Sequence, residues 1–163
     1  MYGVSTIKKL KAKDILSVAK ELIDDGKRVR ITVTGNSMYP FLRDSKDSVE
    51  LTHVNYENIR FGDILLVLQN DGVYIMHRLI RKKRNYFYLN GDAGRYREGP
   101  LYAEQIIAGV IRVWRKDKEI KCSNPLWRGL SFIWFLLLPF RKYLIRSYGM
   151  FSRIVKAIRS KWK

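Results

Sequence analysis

The stretch Arg28-Val29-Arg30-Ile31-Thr32-Val33-Thr34, followed at once by Gly35-Asn36-Ser37-Met38-Tyr39-Pro40 and Phe41-Leu42, governs how the rest of the chain is read. Alternation of apolar and polar residues puts Val29, Ile31 and Val33 on one face of a short strand. The strand runs into a turn that presents Ser37 between a glycine and a proline-anchored apolar residue. Gly35 is expected to leave room for another backbone to approach closely. Pro40 fixes the exit and biases Tyr39 towards an extended conformation. Gly-Asn-Ser is also ordinary turn composition, so Ser37 becomes a candidate nucleophile only in company with motifs further along the chain.

Working outward, the same period of two recurs. Residues 49–54 and the apolar run 64–68, introduced by Phe61-Gly62-Asp63, read as strands. Asn70-Asp71-Gly72 reads as a hairpin turn, because these residues tolerate positive φ. The returning strand, residues 73–80, puts Val73, Ile75, His77 and Leu79 on one face. A charged turn at 81–84, a strand at 86–89 and a long apolar strand at 105–114 complete the set. Many short strands at hairpin spacing predict a mainly β fold, an antiparallel and partly closed β-barrel-like domain. Ahead of it, residues 14–27 carry Ile15, Leu16, Ala19, Leu22 and Ile23 as one helical stripe, with Asp14 expected to cap the start and Gly26 the end.

The chain has 163 residues, 47% of them hydrophobic, and a formal charge of +17. It is long enough for one core-bearing domain with an appendage, and its charge calls for an anionic partner. The single Cys122 excludes an internal disulfide and argues against a zinc site. Residues 1–13 hold four lysines but no apolar run long enough for a signal peptide, so no export anchor is expected.

Glu119 is the last acidic residue, and ten Lys or Arg come after it. Residues 129–140 are uncharged and mostly large and apolar, with Ser131 inside the run. As a helix they would extend about 18 Å against a hydrocarbon core of about 30 Å. Beyond them Leu144, Tyr148, Phe151, Val155, Ile158 and Trp162 recur at steps of four and three among Lys and Arg, the pattern of a basic amphipathic helix in a membrane interface. Anionic headgroups attract such segments by roughly 1 kcal/mol per charge. An oligomerisation helix with a solvated basic face is the plainer alternative. The expected divisions are an N-terminal helical segment (1–27), a β domain (28–119) and a membrane-associating tail (120–163).

Ser37-Met38-Tyr39-Pro40, Gly62-Asp63-Ile64-Leu65-Leu66, Met76-His77-Arg78-Leu79 and Leu89-Asn90-Gly91-Asp92-Ala93 occur in this order. Over residues 28–114 that succession resembles the catalytic domain of type I signal peptidases, in the archaeal and endoplasmic-reticulum branch where histidine replaces the lysine base. The resemblance implies a serine endopeptidase that needs no cofactor. Ser37 would be the nucleophile and His77, with an ordinary pKa of about 6.5, the general base. Asp92 would orient the imidazole and stabilise its charged form. The asparagine usual after this Gly-Asp box is replaced by Gly94. A second acid often occurs further along in this branch, and Glu98 is its nearest counterpart by spacing, though a glutamate stands where aspartate is usual. Arg78 would point to the opposite face of its strand, Asp63 would be a turn residue opening a strand, and His53 a surface strand residue. The oxyanion would be held by backbone N–H groups, Ser37's own among them. Met38 and Ile75 are candidate liners of a pocket for an extended substrate strand.

The expected protein is a membrane-peripheral or monotopic peptidase on the cytoplasmic face, cutting a leader from a precursor peptide held near an anionic membrane. Two other readings stand beside it. A catalytically weak module of the same fold would bind precursors for another enzyme. A nucleic-acid binder resembling the related self-cleaving repressors would use the positive charge. Those repressors carry a lysine base and a DNA-reading domain, and neither is visible here, so no specific nucleic acid is expected.

Overall fold

In the computed structural model of the chain, the description covers residues 3–94, 96–116, 118–137 and 140, with side chains from residue 14 onward. The elements in chain order are α1 (Gly3–Asp24), β1 (Val29–Thr32), β2 (Asp47–Thr52), β3 (Ile64–Leu68), β4 (Tyr74–Lys82), β5 (Phe87–Asn90), β6 (Arg97–Leu101), β7 (Ile106–Arg115), β8 (Lys118–Lys121) and α2 (Pro125–Leu136). All eight strands join one antiparallel sheet in the order β1-β2-β7-β3-β4-β5-β6, with β8 also paired to β7. The long β7 is the spine. β2 lies along one side of it, while β3 takes the first half of the other side and β8 the second half. Among the described residues β1 pairs only with β2 and β6 only with β5. The expected partial closure into a barrel is therefore not found: the two outer strands do not meet and the sheet is open.

The sheet can be open because it is covered on both faces. In β3 the sequence Ile64-Leu65-Leu66-Val67 is buried throughout, the signature of a strand with no wet face. Ile64 and Leu66 enter one core with Val33, Met38, Leu42, Val49, Leu51 and Ile23 of α1. Leu65 and Val67 enter a second, with Ile59, Leu79, Phe87, Leu89 and Leu101. Each fully buried Leu, Ile or Phe contributes about 1.5–3 kcal/mol, so both faces hold the strands in register.

α1 begins at Gly3 rather than at Asp14. Lysine, leucine and alanine are good helix formers, and residues 8–13 consist of four lysines, a leucine and an alanine, so nothing stops the helix there. Its end is as expected. Gly26, at φ +77°, closes the helix with Gly26 N–H to Ile23 O at 2.9 Å and Lys27 N–H to Leu22 O at 2.9 Å. The apolar stripe is narrower than its spacing suggested, since Ala19 and Ile23 are buried while Ile15 is 58% exposed. Val73 is exposed and lies just before β4. His53 lies past the end of β2 on an exposed loop, with Nε2 3.0 Å from Asn55 Oδ1. Asp63 opens β3 by accepting from the Arg60 N–H at 2.7 Å.

α2 covers part of the apolar run, with Asn124 Oδ1 capping its start by accepting from Leu126 N–H at 2.8 Å. Among the described residues no helix is long and apolar enough to cross a membrane. The amphipathic pattern at 141–163 lies outside the described residues.

Candidate functional site

Ser37 lies in the loop between β1 and β2, exposed, while Met38 and Leu42 behind it are anchored in the first core. Three polar ties hold the loop. Gly35 N–H donates to Asp44 Oδ1 at 2.9 Å, Leu42 N–H to Met38 O at 2.9 Å, and Arg115 Nη2 to Phe41 O at 2.7 Å. Arg115 and Arg43 both bind the fully buried Asp47 carboxylate. Burial pushes the Asp47 carboxyl up, but these two guanidiniums outweigh it and hold the group below its ordinary value. Gly35 has φ +84° and open space where a side chain would begin. Its role is therefore the left-handed turn and not the close approach expected of it.

The close approach occurs at Gly91 instead. A Cβ there would lie 2.7 Å from the Ser37 carbonyl oxygen and 3.1 Å from His77 Nε2. Ser37 O also accepts from Ala93 N–H at 2.8 Å. The serine loop and the imidazole edge thus converge on one missing side chain. Gly94 closes the turn by donating to Gly91 O at 2.9 Å, which is the local geometry that replaces the usual asparagine.

His77 sits in the middle of β4 opposite Leu65. Its Nδ1 is buried with no hydrogen-bond partner among the described residues. Burial pushes the imidazole below its ordinary pKa, and the charges of Glu98 and, more weakly, Asp92 pull it part of the way back. Glu98, on β6 opposite Leu89, holds Gln69 Nε2 at a long 3.3 Å. The Asp92 carboxylate is engaged elsewhere, accepting from Arg78 Nε at 2.8 Å and from Arg78 Nη2 at 2.7 Å. This ion pair is 3% and 4% exposed on its two sides. Asp92 therefore reaches His77 through its charge, not by a hydrogen bond to Nδ1.

Arg78 alternates away from His77 and is the organiser that its sequence position alone did not reveal. Its Nη1 donates to Gly62 O at 2.8 Å and to Ser131 Oγ at 3.0 Å, and its guanidinium lies 4.7 Å from the centre of the Phe41 ring. α2 closes over this group. Ser131 and Trp127 are buried, Trp134 Nε1 donates to Asp92 O at 3.0 Å, and Phe41 packs edge-on against Trp127 at 5.3 Å. The signal for this clamp was present: Trp127, Ser131 and Trp134 fall at steps of four and three, with the one hydroxyl of the apolar run in the middle.

Of the pocket candidates, Met38 is 2% exposed in the first core and offers little surface to a substrate, whereas Ile75 is half-buried against the second. The two pack against different cores. Among the described residues no group of three or more His, Cys, Asp or Glu is arranged to hold a metal ion. Comparison with protein-family models gives no match, and comparison with curated proteins gives none either.

Proposed function

We propose that this chain is a serine endopeptidase resembling type I signal peptidase, which removes a leader segment from a precursor near a membrane. The observation that carries the proposal is the convergence of the Ser37 loop and His77 Nε2 on Gly91. In this reading Ser37 Oγ attacks the scissile carbonyl while His77 takes its proton. The imidazolium then gives that proton to the leaving amine, and water hydrolyses the acyl-enzyme by the same route. Glu98 is the acid that completes the site, turning from its long bond with Gln69 to the unpartnered His77 Nδ1 once substrate is bound. Catalytic hydrogen bonds are often loose without substrate. Asp92 acts as a positioning residue through Arg78 and Gly91. The test is incubation of the protein, on anionic liposomes, with full-length candidate precursors, read by mass spectrometry. A single defined cut supports the proposal, and tight precursor binding with no cut overturns it.

That second outcome belongs to the rival reading, a precursor-binding module of weak or no activity. One observation favours it: the Asp92 carboxylate is committed to Arg78 while His77 Nδ1 has no partner among the described residues.

Two consequences separate the readings further. Because burial lowers the His77 pKa, the imidazole stays neutral below its ordinary value of about 6.5. Cleavage should rise with pH along an acid limb centred below that value. Glu98→Gln removes the stronger of the two charges that raise the pKa, so the limb should move to still lower pH while the plateau rate falls about a hundredfold. A Glu98 that merely braced Gln69 would still shift the limb through its charge but leave the plateau rate nearly unchanged. Gly91→Ala drives a methyl group between the Ser37 carbonyl and the imidazole, and a displacement of that size should cost about a hundredfold in kcat/KM. Gly94→Ala meets its nearest neighbour only at 3.4 Å and serves as the control, losing far less.

A further inference from the structure

Apart from Arg128, α2 is apolar on its outer face as well as its inner one, and such a helix is stable only when both faces are covered. Its inner stripe is accounted for by Trp127, Ser131 and Trp134. Its outer face is not: Leu126 is 71% exposed, Leu130 48%, Phe132 52%, Ile133 54% and Leu136 59%. At 100° per residue these five side chains form one continuous surface. Arg128 stands at its edge, tied to Asp63 at 3.1 Å and to Phe61 O at 3.1 Å, so it leaves the apolar face unbroken. A continuous apolar patch of this kind marks a place where something docks.

We propose that the outer face of α2 is seated in the surface of an anionic lipid bilayer, so that the helix clamping the Arg78–Asp92 pair also fixes the candidate site at the membrane. The inference deepens the proposed function and rests on its near-membrane part, though not on its chemistry. Charge chooses the occupant. Ten Lys or Arg and no acid come after Glu119, and the whole chain carries +17. A second copy would bring one strongly cationic surface against another, which is unfavourable at moderate ionic strength. An anionic bilayer offers an apolar interior to the leucine face and negative headgroups to the basic residues on either side of it. The chain's own residues 141–163 are a weaker match, because their apolar positions are interleaved with eight basic residues for which the apolar outer face of α2 offers no acidic partner.

Coupling to the site comes from the inner face of the same helix. Ser131 Oγ accepts from Arg78, Trp134 Nε1 holds the Asp92 carbonyl, and the next residue back is the Gly91 on which Ser37 and His77 converge. Lipid that holds α2 in place therefore holds this chain of contacts.

The test uses the full chain carrying Leu130→Cys, labelled with an environment-sensitive fluorophore. The native thiol does not compete, since burial pushes Cys122 up to about 12 and little thiolate exists at neutral pH. The control label is at Arg84→Cys, in the exposed bend that follows β4. With phosphatidylglycerol vesicles, the Leu130 label should brighten and be quenched by brominated acyl chains, and the Arg84 label should not. Phosphatidylcholine vesicles should give a much smaller response, and salt should weaken binding. Leu130→Asp with Ile133→Asp should weaken vesicle binding about tenfold or more.

Co-sedimentation with vesicles while the Leu130 label stays in water would overturn the inference, as would no vesicle binding at all. A Leu130 label already shielded without lipid would also overturn it. In that case a doubled mass would identify a second copy as the cover, and a monomer mass the chain's own residues 141–163. All these readouts can be repeated in Ser37→Ala. Lipid seating without any precursor cleavage in the unsubstituted chain would sink the peptidase reading alone, and cleavage with an exposed α2 would sink only the seating.

Discussion

Ser37→Ala and His77→Ala are each expected to abolish precursor cleavage, by roughly ten-thousand-fold or more, while leaving the thermal transition of the protein nearly unchanged. Nucleophile and base act as one unit, so the double variant should be no worse than either single one. Stability should be spared for a local reason. Ser37 is exposed, and the loop is anchored by Met38, Leu42 and backbone bonds rather than by the hydroxyl. His77→Ala removes a ring whose Nδ1 is buried without a partner among the described residues, so the change relieves an unsatisfied polar atom even as it opens a void. The check is a cleavage time course read by mass spectrometry beside calorimetry of each variant. Additive losses in the double variant would mean that the two residues do not share a step. Unchanged precursor binding with no cleavage by any form would leave the binding-module reading.

What was legible in the sequence divides along physical lines. β1, β3, β4 and β7 were readable because their residues alternate or run apolar, and burial is what the period reports. β6 and β8 were not, because Arg97-Glu98-Gly99-Pro100-Leu101 and Lys118-Glu119-Ile120-Lys121 carry charges, a glycine and a proline where a strand would show apolar residues. They are strands because β5 and β7 offer them unpaired backbone groups, which is a tertiary cause. The open sheet was likewise invisible, since strand spacing says nothing of whether the outer strands meet.

At the candidate site, the serine turn and its partner boxes were legible as motifs, but the contacts between them were not. The crowding falls at Gly91 and not at Gly35, because a glycine's neighbour across space leaves no trace in the chain. Arg78 was placed on the strand face opposite His77, and only its burial beneath Phe41 and α2 reveals it as the partner of Asp92. The support for a charged His77 that the resemblance assigned to Asp92 comes more strongly from Glu98, two strands away across the sheet.

That division of labour between the two acids leads to a large effect on stability. Asp92→Leu should destabilise the fold by about 3–5 kcal/mol, because it leaves a guanidinium in the interior without its carboxylate. Arg78 is 3% exposed and, among the described residues, would keep Gly62 O and Ser131 Oγ as acceptors, neither of them charged. Arg78→Met alone should be comparably costly, since it strands the carboxylate instead. Combining Arg78→Met with Asp92→Leu removes both charges and should restore most of the loss, as replacing a buried pair with apolar residues of similar size often does. Urea unfolding of the four proteins measures the cycle, and a double variant as unstable as the sum of the singles would refute the pairing. Cleavage by the double variant then separates structure from chemistry. If Asp92 serves only to brace the loop that carries Gly91, a refolded apolar pair should keep much of the activity. If its charge is needed by the imidazolium, the stable double variant should be nearly inactive, with the acid limb of its pH profile displaced to lower pH, because removing Asp92 withdraws one of the two charges that raise the His77 pKa.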